Sequence, residues 1–353
     1  FTQFADQEYF RPADYRLGDA VIEKEYLHRR FINLQELPVQ TRFAEIAVEI
    51  IERLKSAEAG ERRMPSKSLV IKQLFSMFRF PDTIDLYQEF YVHIGKPEMF
   101  LLSPSMPMEY ADLFPFLYLH LYLNGWTEDP TIRHLLIDEM QDYTPVQYAV
   151  INKLYPCSKT ILGDFSQNLQ NHPAMTPDDF RALYPRMDFV QLFKSYRSTA
   201  EIIAFAQRLK PDSQIEAAPR HGETPKIYSF ADDASEYKYI LQLIEEFRSG
   251  SYATLGIICK TSQQALQLYQ QLEKQTTVSY LDQNSTRVRN GVTVTSIAMA
   301  KGLEFDEVIL TGVNKTSYHT EYDCGLLYVA VTRAMHRLKL TYTGKMSTCF
   351  PNS

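Results

Sequence analysis

The stretch from His134 to Asp142, reading His-Leu-Leu-Ile-Asp-Glu-Met-Gln-Asp, constrains this chain more than any other. A short apolar run ends in two adjacent carboxylates, then a Gln and a third carboxylate. Such a run reads as a buried strand of a parallel sheet. Ligands of open α/β sheets sit just beyond the carboxyl ends of such strands. Asp138 and Glu139 therefore stand where a metal ion and a phosphate could be met. Two adjacent acids at a buried strand end are costly unless something cationic pairs with them. An ordinary solvated strand-to-loop turn would read the same way, because acids commonly end strands. The rest of the chain has to decide.

Upstream of this stretch, residues 1–100 carry no catalytic pattern and read as helical. Pro38 opens a helix whose apolar positions Phe43, Ile46, Ala47, Ile50, Ile51 and Leu54 make one stripe. Ala59 to Arg63 break it, Pro65-Ser66-Lys67 begins another helix, and Pro81-Asp82 begins a further one. Tyr110 to Leu119 is amphipathic, with Pro115 set to kink it or mark its first turn and Gly125 placed to stop it. After the acids, Thr144 is a plausible N-cap with Pro145 at the first helical position. The strand 159–162 follows, completing a βαβ unit. A third strand is expected at Phe189-Val190-Gln191-Leu192, and a helix from Ala200. From 226 onward strands and helices alternate: strands at 226–230, 255–259, 292–295, 307–310 and 338–342, helices at 233–248, 262–274 and 326–334. That alternation indicates a second parallel-sheet domain.

Composition limits what this can be. The chain has 353 residues, enough for two or three domains, and its 45% hydrophobic and 23% charged content is that of a globular protein. A net charge of -6 argues against a broadly basic nucleic-acid surface. No apolar run approaches the length of a membrane span, and no secretory signal opens the chain. Cys157, Cys259, Cys324 and Cys349 are far apart and form no CxxC pair. That spacing suits a reducing cytoplasm and argues against zinc.

Five clusters stand in a fixed order: Ile137 to Asp142; Ile161-Leu162-Gly163-Asp164-Phe165-Ser166-Gln167; Leu192-Phe193-Lys194-Ser195-Tyr196-Arg197-Ser198; Ala300-Lys301-Gly302-Leu303-Glu304-Phe305-Asp306; and Leu326 to Ala334. Together they resemble motifs II to VI of superfamily 1 helicases of the UvrD/Rep group, over about residues 107 to 343. The resemblance implies an α/β fold of two RecA-like P-loop NTPase domains, the first incomplete, preceded by a helical segment. The implied divisions are 1–100, an arm or insertion; 101–190, the C-terminal part of the first RecA-like domain; and 191–353, the second. It implies ATP and Mg²⁺ as ligands. Asp138 would hold Mg²⁺ and Glu139 would activate the attacking water, as phosphoryl transfer demands charge neutralisation and positioned water. Gln167 would sense the γ-phosphate. Arg197 and Arg333 would be arginine fingers, for which a planar, permanently charged, bidentate guanidinium is suited. Tyr196 would stack on adenine, and Gln141, Lys301, Gly302 and Glu304 join it among the nucleotide contacts.

Departures from the family pattern refine the expectation. Ser195 replaces the usual Asn, and Ala298 stands where many relatives have His. Asn168 to His172 lacks the aromatic that stacks on single-stranded DNA in relatives, which weighs against strand translocation. The interval from Tyr196 to Lys301 is 105 residues, with no room for an accessory domain. This compact pattern looks most like the HelD type, the RNA-polymerase-associated ATPases. No G-x-x-x-x-G-K-[ST] phosphate loop is present: Gly95-Lys96 runs into Pro97, Gly344-Lys345 into Met346, and Gly312 to Thr316 has the wrong spacing. The chain is therefore expected to be the C-terminal part of a longer cytoplasmic polypeptide, inactive alone, whose partners are its own N-terminal half, DNA or other nucleic acid, and RNA polymerase. Two alternatives stand beside this reading: a UvrD/Rep-type 3′–5′ DNA helicase in repair or recombination, and a non-catalytic protein-binding module on a degenerate RecA-like scaffold.

Overall fold

A computed structural model describes the chain apart from residues 57–63, 101–107, 128, 168–174, 212–213, 284, 286–289 and 351–353. The break expected at Ala59 to Arg63 and the stretch Asn168 to His172, read as lacking a stacking aromatic, lie outside the described residues. Two compact units emerge. Unit one comprises Phe1–Asp138 and Tyr143–Leu162; unit two comprises Glu139–Asp142 and Gly163–Ser353.

Unit one is chiefly helical. Its elements are α1 (Thr2–Glu8), the hairpin strands β1 (Tyr15–Leu17) and β2 (Ala20–Ile22), α2 (Lys24–Asn33), α3 (Val39–Ser56), α4 (Lys67–Phe75), α5 (Thr83–His93), α6 (Tyr110–Asn124), β3 (His134–Ile137), α7 (Pro145–Leu154) and β4 (Ser158–Ile161). The α3 stripe is buried as its spacing requires: Phe43, Ile46, Ala47, Ile50 and Leu54 all face the core. Ser66 and Asp82 cap α4 and α5 with their side chains. Thr144 forms a full capping box with Gln147 ahead of Pro145. Pro115 lies inside α6, which runs on past it to a left-handed Gly125.

Polar ties hold the helices of unit one together. Asp112 on α6 accepts from the hydroxyls of Tyr87 and Tyr91 on α5 at 2.6 and 2.7 Å. Arg42 on α3 is 1% exposed and donates to Asp6 Oδ1 at 2.6 Å, and Tyr122 OH donates to the same oxygen at 2.6 Å. Two more of its donors meet the Gln35 and Leu37 carbonyls. Removing one partner of a buried ion pair strands the other.

β3 and β4 pair in parallel, with Ile137 opposite Ile161. The sequence reading of β3 as a buried strand is corrected here. Only Ile137 of its four residues is buried, and Leu136 is 63% exposed. Among the described residues β3 and β4 form a two-stranded sheet, so too little structure lies over them to cover both faces.

Unit two contains α8 (Pro177–Leu183), β5 (Lys194–Ser195), α9 (Ala200–Gln207), β6 (Glu216–Ala217), β7 (Lys226–Phe230), α10 (Asp233–Arg248), β8 (Thr254–Cys259), α11 (Ser262–Leu272), β9 (Ser279–Tyr280), β10 (Gly291–Ser296), α12 (Ile297–Ala300), β11 (Phe305–Leu310), α13 (Glu321–Val331) and β12 (Ala334–Thr343). Its six-stranded sheet has the order β7-β12-β11-β8-β10-β9, and every pairing is parallel. Apolar clusters cover both faces: Ile240, Leu243 and Ile244 of α10 pack with Leu255 and Ile257, while Leu327 and Val331 of α13 pack with Val308 and Leu338. This is the α/β parallel-sheet architecture expected from the alternation after residue 226.

Two expectations fail in unit two. The strand expected at 189–192 does not form; Val190 and Leu192 are 77% and 89% exposed, and pairing begins only at Lys194, against Glu216. A strand needs a ladder partner as well as β-forming residues. The cysteine reading changes too. Cys324 of α13 is disulfide-bonded to Cys349, with Cα atoms 5.3 Å apart, while Cys157 and Cys259 are free thiols. No helix among the described residues is long and apolar enough to cross a membrane.

Asp6→Ala is expected to cost unit one about 3–5 kcal/mol, the penalty for stranding a buried partner. Urea denaturation followed by circular dichroism measures it, and a loss below about 1 kcal/mol would mean Arg42 finds other acceptors.

Candidate active site

Most of the residues singled out by sequence fall in unit two, and local chain geometry explains how they meet. Ser198 Oγ donates to the Ala334 carbonyl at 2.6 Å, and the Thr199 N–H bonds the Met335 carbonyl at 3.2 Å. These bonds pin the turn carrying Tyr196 and Arg197 to the start of β12, directly after Arg333. The two arginines are thereby neighbours.

Arg333 is 1% exposed. Its Nε donates to the Val329 carbonyl at 3.0 Å, and its Nη2 donates to Gln167 Oε1 at 2.8 Å. Burial, then the positive charge of Arg197, pulls its pKa down to about 10, against the pull of Glu139, Glu304 and Asp164. It remains a cation at neutral pH. Arg197 is exposed and forms an ion pair with Glu304 at 2.6 Å. Two guanidiniums this close repel one another, so the location favours an anion.

A cavity of about 260 Å³ opens beside them, lined by Asp164, Gln167, Tyr196, Arg197, Tyr328 and Thr332 among others. Tyr196 is 70% exposed, with the Lys194 ammonium 5.8 Å from its ring centroid. The cavity offers an aromatic ring, a guanidinium, an amide and hydroxyls. That donor set suits a ligand with an anionic end and a planar end.

Other expected contacts turn out to have partners within the chain. Lys301, expected on the nucleotide, forms an ion pair with Asp142. Gly302 has φ +80 with nothing near the place of a Cβ, so the turn itself requires glycine there. Gln141 is buried and bonded to Glu139 and to the Asp164 N–H. Asp138 is exposed at the end of β3 in unit one. Among the described residues no group of three or more His, Cys, Asp or Glu is gathered to hold a metal. Mg²⁺ on a nucleotide is commonly held by one or two carboxylates with phosphates and waters, and Asp138 could supply such a ligand.

Sequence reasoning gave no role to Asp142 or Asp164. Asp142 and Asp164 stood in plain view within the motif strings, but their partners are far away in sequence. Nothing in the string announces which lysine or amide they meet.

Comparison with known proteins bears on this geometry. Residues 291–341 match the UvrD-like helicase C-terminal domain. That stretch carries Lys301, Gly302, Glu304 and Arg333. A candidate ATP-dependent DNA helicase of Acanthamoeba polyphaga mimivirus, R568, is 24% identical over 246 residues, covering 61% of this chain and 35% of that protein. The candidate ATP-dependent DNA helicase YjcD of Bacillus subtilis (strain 168) is 22% identical over 274 residues, covering 71% and 32%. The solved C-terminal domain of a candidate DNA helicase from Lactobacillus plantarum WCFS1 is 30% identical, covering 44% of this chain and 92% of that one, with a TM-score of 0.39. The match to a UvrD-like helicase C-terminal domain is confined to residues 291–341, and over more of its length the chain is similar to proteins named as ATP-dependent DNA helicases. It spans about a third of the length of the curated relatives it matches. These relatives are named as DNA helicases, so the match reaches the helicase family and stops short of the HelD type.

Within this site, Gln167→Leu removes the acceptor of a buried guanidinium donor. An unfolding cost of about 1–3 kcal/mol is expected, read by chemical denaturation of unit two. Glu304→Gln, in an exposed pair, is expected to cost under about 1 kcal/mol in the same assay.

Proposed function

We propose that the chain supplies the hydrolytic and arginine-finger portion of an ATP-driven, UvrD-like DNA helicase. The observation that carries this reading is the buried Arg333 guanidinium held on Gln167 with Arg197 beside it. Arg197 and the neutral Gln167 amide line one cavity, with the buried Arg333 held on Gln167, a set that suits a terminal phosphate that gains charge as it leaves.

The roles follow from the residues' chemistry. Tyr196, exposed beside the cavity, gives the base a stacking surface. Arg197 and Arg333 neutralise phosphate oxygens, and Gln167 changes partner when an oxygen takes its place on Arg333. Glu139 accepts the proton of the attacking water as the new P–O bond forms and the ADP oxygen leaves. Asp138 is the carboxylate assigned to Mg²⁺, which when bound supplies charge neutralisation on the phosphates. Lys301, Gly302 and Glu304 shape the cavity side: Lys301 through Asp142, Gly302 through its turn, and Glu304 through Arg197. Residues 101–190 and 191–353 are read as portions of two RecA-like domains.

Action on RNA polymerase, as in the HelD type, is a second reading. The single observation favouring it is the 105-residue interval from Tyr196 to Lys301. DNA as the nucleic-acid partner is supported by the names of the relatives.

In the full-length protein, Glu139→Gln is expected to retain ATP binding and lower turnover by about 100-fold or more, the scale of a lost general base. Steady-state hydrolysis beside equilibrium binding of a non-hydrolysable analogue measures both. Retained turnover would remove Glu139 from the base role. Single-stranded DNA is expected to stimulate the wild-type rate, and stimulation by RNA polymerase alone would favour the second reading.

A further inference from the structure

Gln141 is 3% exposed, and both ends of its amide are spent on its own chain. Nε2 donates to the Glu139 carboxylate, and Oε1 accepts the Asp164 N–H at 3.0 Å. A side-chain amide can donate at one end and accept at the other, which this bridge requires. We infer that Gln141 is a positioning residue that aims the Glu139 carboxylate, anchored on the turn at Gly163 and Asp164. The inference rests on the role proposed above for Glu139.

Two observations besides the bridge point the same way. Glu139 has φ +53, the one positive value for a non-glycine residue among the described residues. A side chain holds that conformation only where its surroundings over-determine it. The left-handed step bends the chain so that residue 141 can reach back to residue 139. Gly163 supplies the second observation. A Cβ there would fall 2.5 Å from Gln141 Oε1, 2.5 Å from Met140 Cγ and 2.7 Å from the Met140 nitrogen. Only a residue without a side chain lets the 139–142 turn sit this close.

The far end of the same turn is held independently. The Asp142 N–H bonds the Glu139 carbonyl at 2.9 Å, and the Asp142 carboxylate pairs with Lys301. The turn is thus fixed at its middle by Gln141 and at its end by Asp142.

The test uses the full-length protein with Gln141→Met, which keeps length and removes both bonds, together with Gly163→Ala, the double variant, and Glu139→Gln as reference. Gln141→Met is expected to lower kcat for ATP by about 10–100-fold while KM and analogue affinity stay within about twofold, because aim is lost and binding is kept. Deuterium exchange at the Asp164 amide, read without nucleotide, is expected to speed up by about tenfold or more as its acceptor disappears. Gly163→Ala should reproduce both effects, and the double variant should be no worse than the worse single one, since both break the same bridge. If Gly163→Ala does not fold, Gln141→Met carries the test. A raised KM with unchanged kcat would make Gln141 a nucleotide contact and overturn the inference. Unchanged exchange at Asp164 would overturn it as well. Loss of turnover in Glu139→Gln beside normal turnover in Gln141→Met overturns the inference alone, whereas retained turnover in Glu139→Gln overturns the base assignment and the inference with it.

Discussion

A guanidinium that cannot shed its charge lies buried at the corner between α13 and β12, and the site of unit two is arranged around its cost. Desolvating a cation is expensive unless its donors are met. Val329 and Gln167 meet those of Arg333, and its burial fixes both partners in turn. Gln167 is held at the end of the turn that follows β4, and the first residue of β12 takes the hydroxyl of Ser198. Satisfying one buried charge therefore brings together segments separated by more than a hundred residues. The parallel sheet makes this possible, because β11 and β12 run side by side and set Glu304 and Arg333 at the same end.

How much of this was legible depends on whether the signal is local. Helix α10 has the bounds read from the sequence, 233–248, since its apolar period and its Asp232 cap are both local facts. The same holds for β7 at 226–230 and for the Thr144-Pro145 helix start. The strand expected at 189–192 was misread for the opposite reason. Its residues favour extended chain, but a ladder depends on a neighbour that the segment does not name. Arg42 was invisible in the α3 stripe because a periodicity count scores arginine as solvent-facing. The Cys324–Cys349 link was hidden because 25 residues of separation say nothing of Cα atoms brought to 5.3 Å.

The candidate site shows the same division. The motif strings group Gln167 with Arg333 and Arg197 with Glu304, and each of these two pairs is in contact. The strings did not reveal who holds whom. Gln141, Lys301, Gly302 and Glu304 were all read as nucleotide contacts. Within the chain they have four different surroundings: a bridge to Glu139, an ion pair with Asp142, a left-handed turn and an ion pair with Arg197. Residue type and spacing set the available chemistry, and tertiary pairing decides how each group spends it.

On the proposed reading, ligand binding here is an exchange of partners. A phosphate reaching Arg197 displaces Glu304, and one reaching Arg333 displaces Gln167. Each exchange yields only the difference between the new bond and the old one. The two exchanges differ in cost. The Arg197 pair is solvent-exposed and water-screened, so opening it costs little. Arg333 has no water to fall back on, so Gln167 leaves only when an acceptor is already in place. Arg197 is therefore suited to first capture, and Arg333 to a late step that requires a correctly seated anion. The displaced Gln167 stands beside Asp164, to which its amide donates, and the Asp164 N–H is held by Gln141, which holds Glu139. Occupancy at the buried arginine thus has a short hydrogen-bonded route to the carboxylate proposed to activate water, through the side chains of Gln167, Asp164 and Gln141 and one backbone amide.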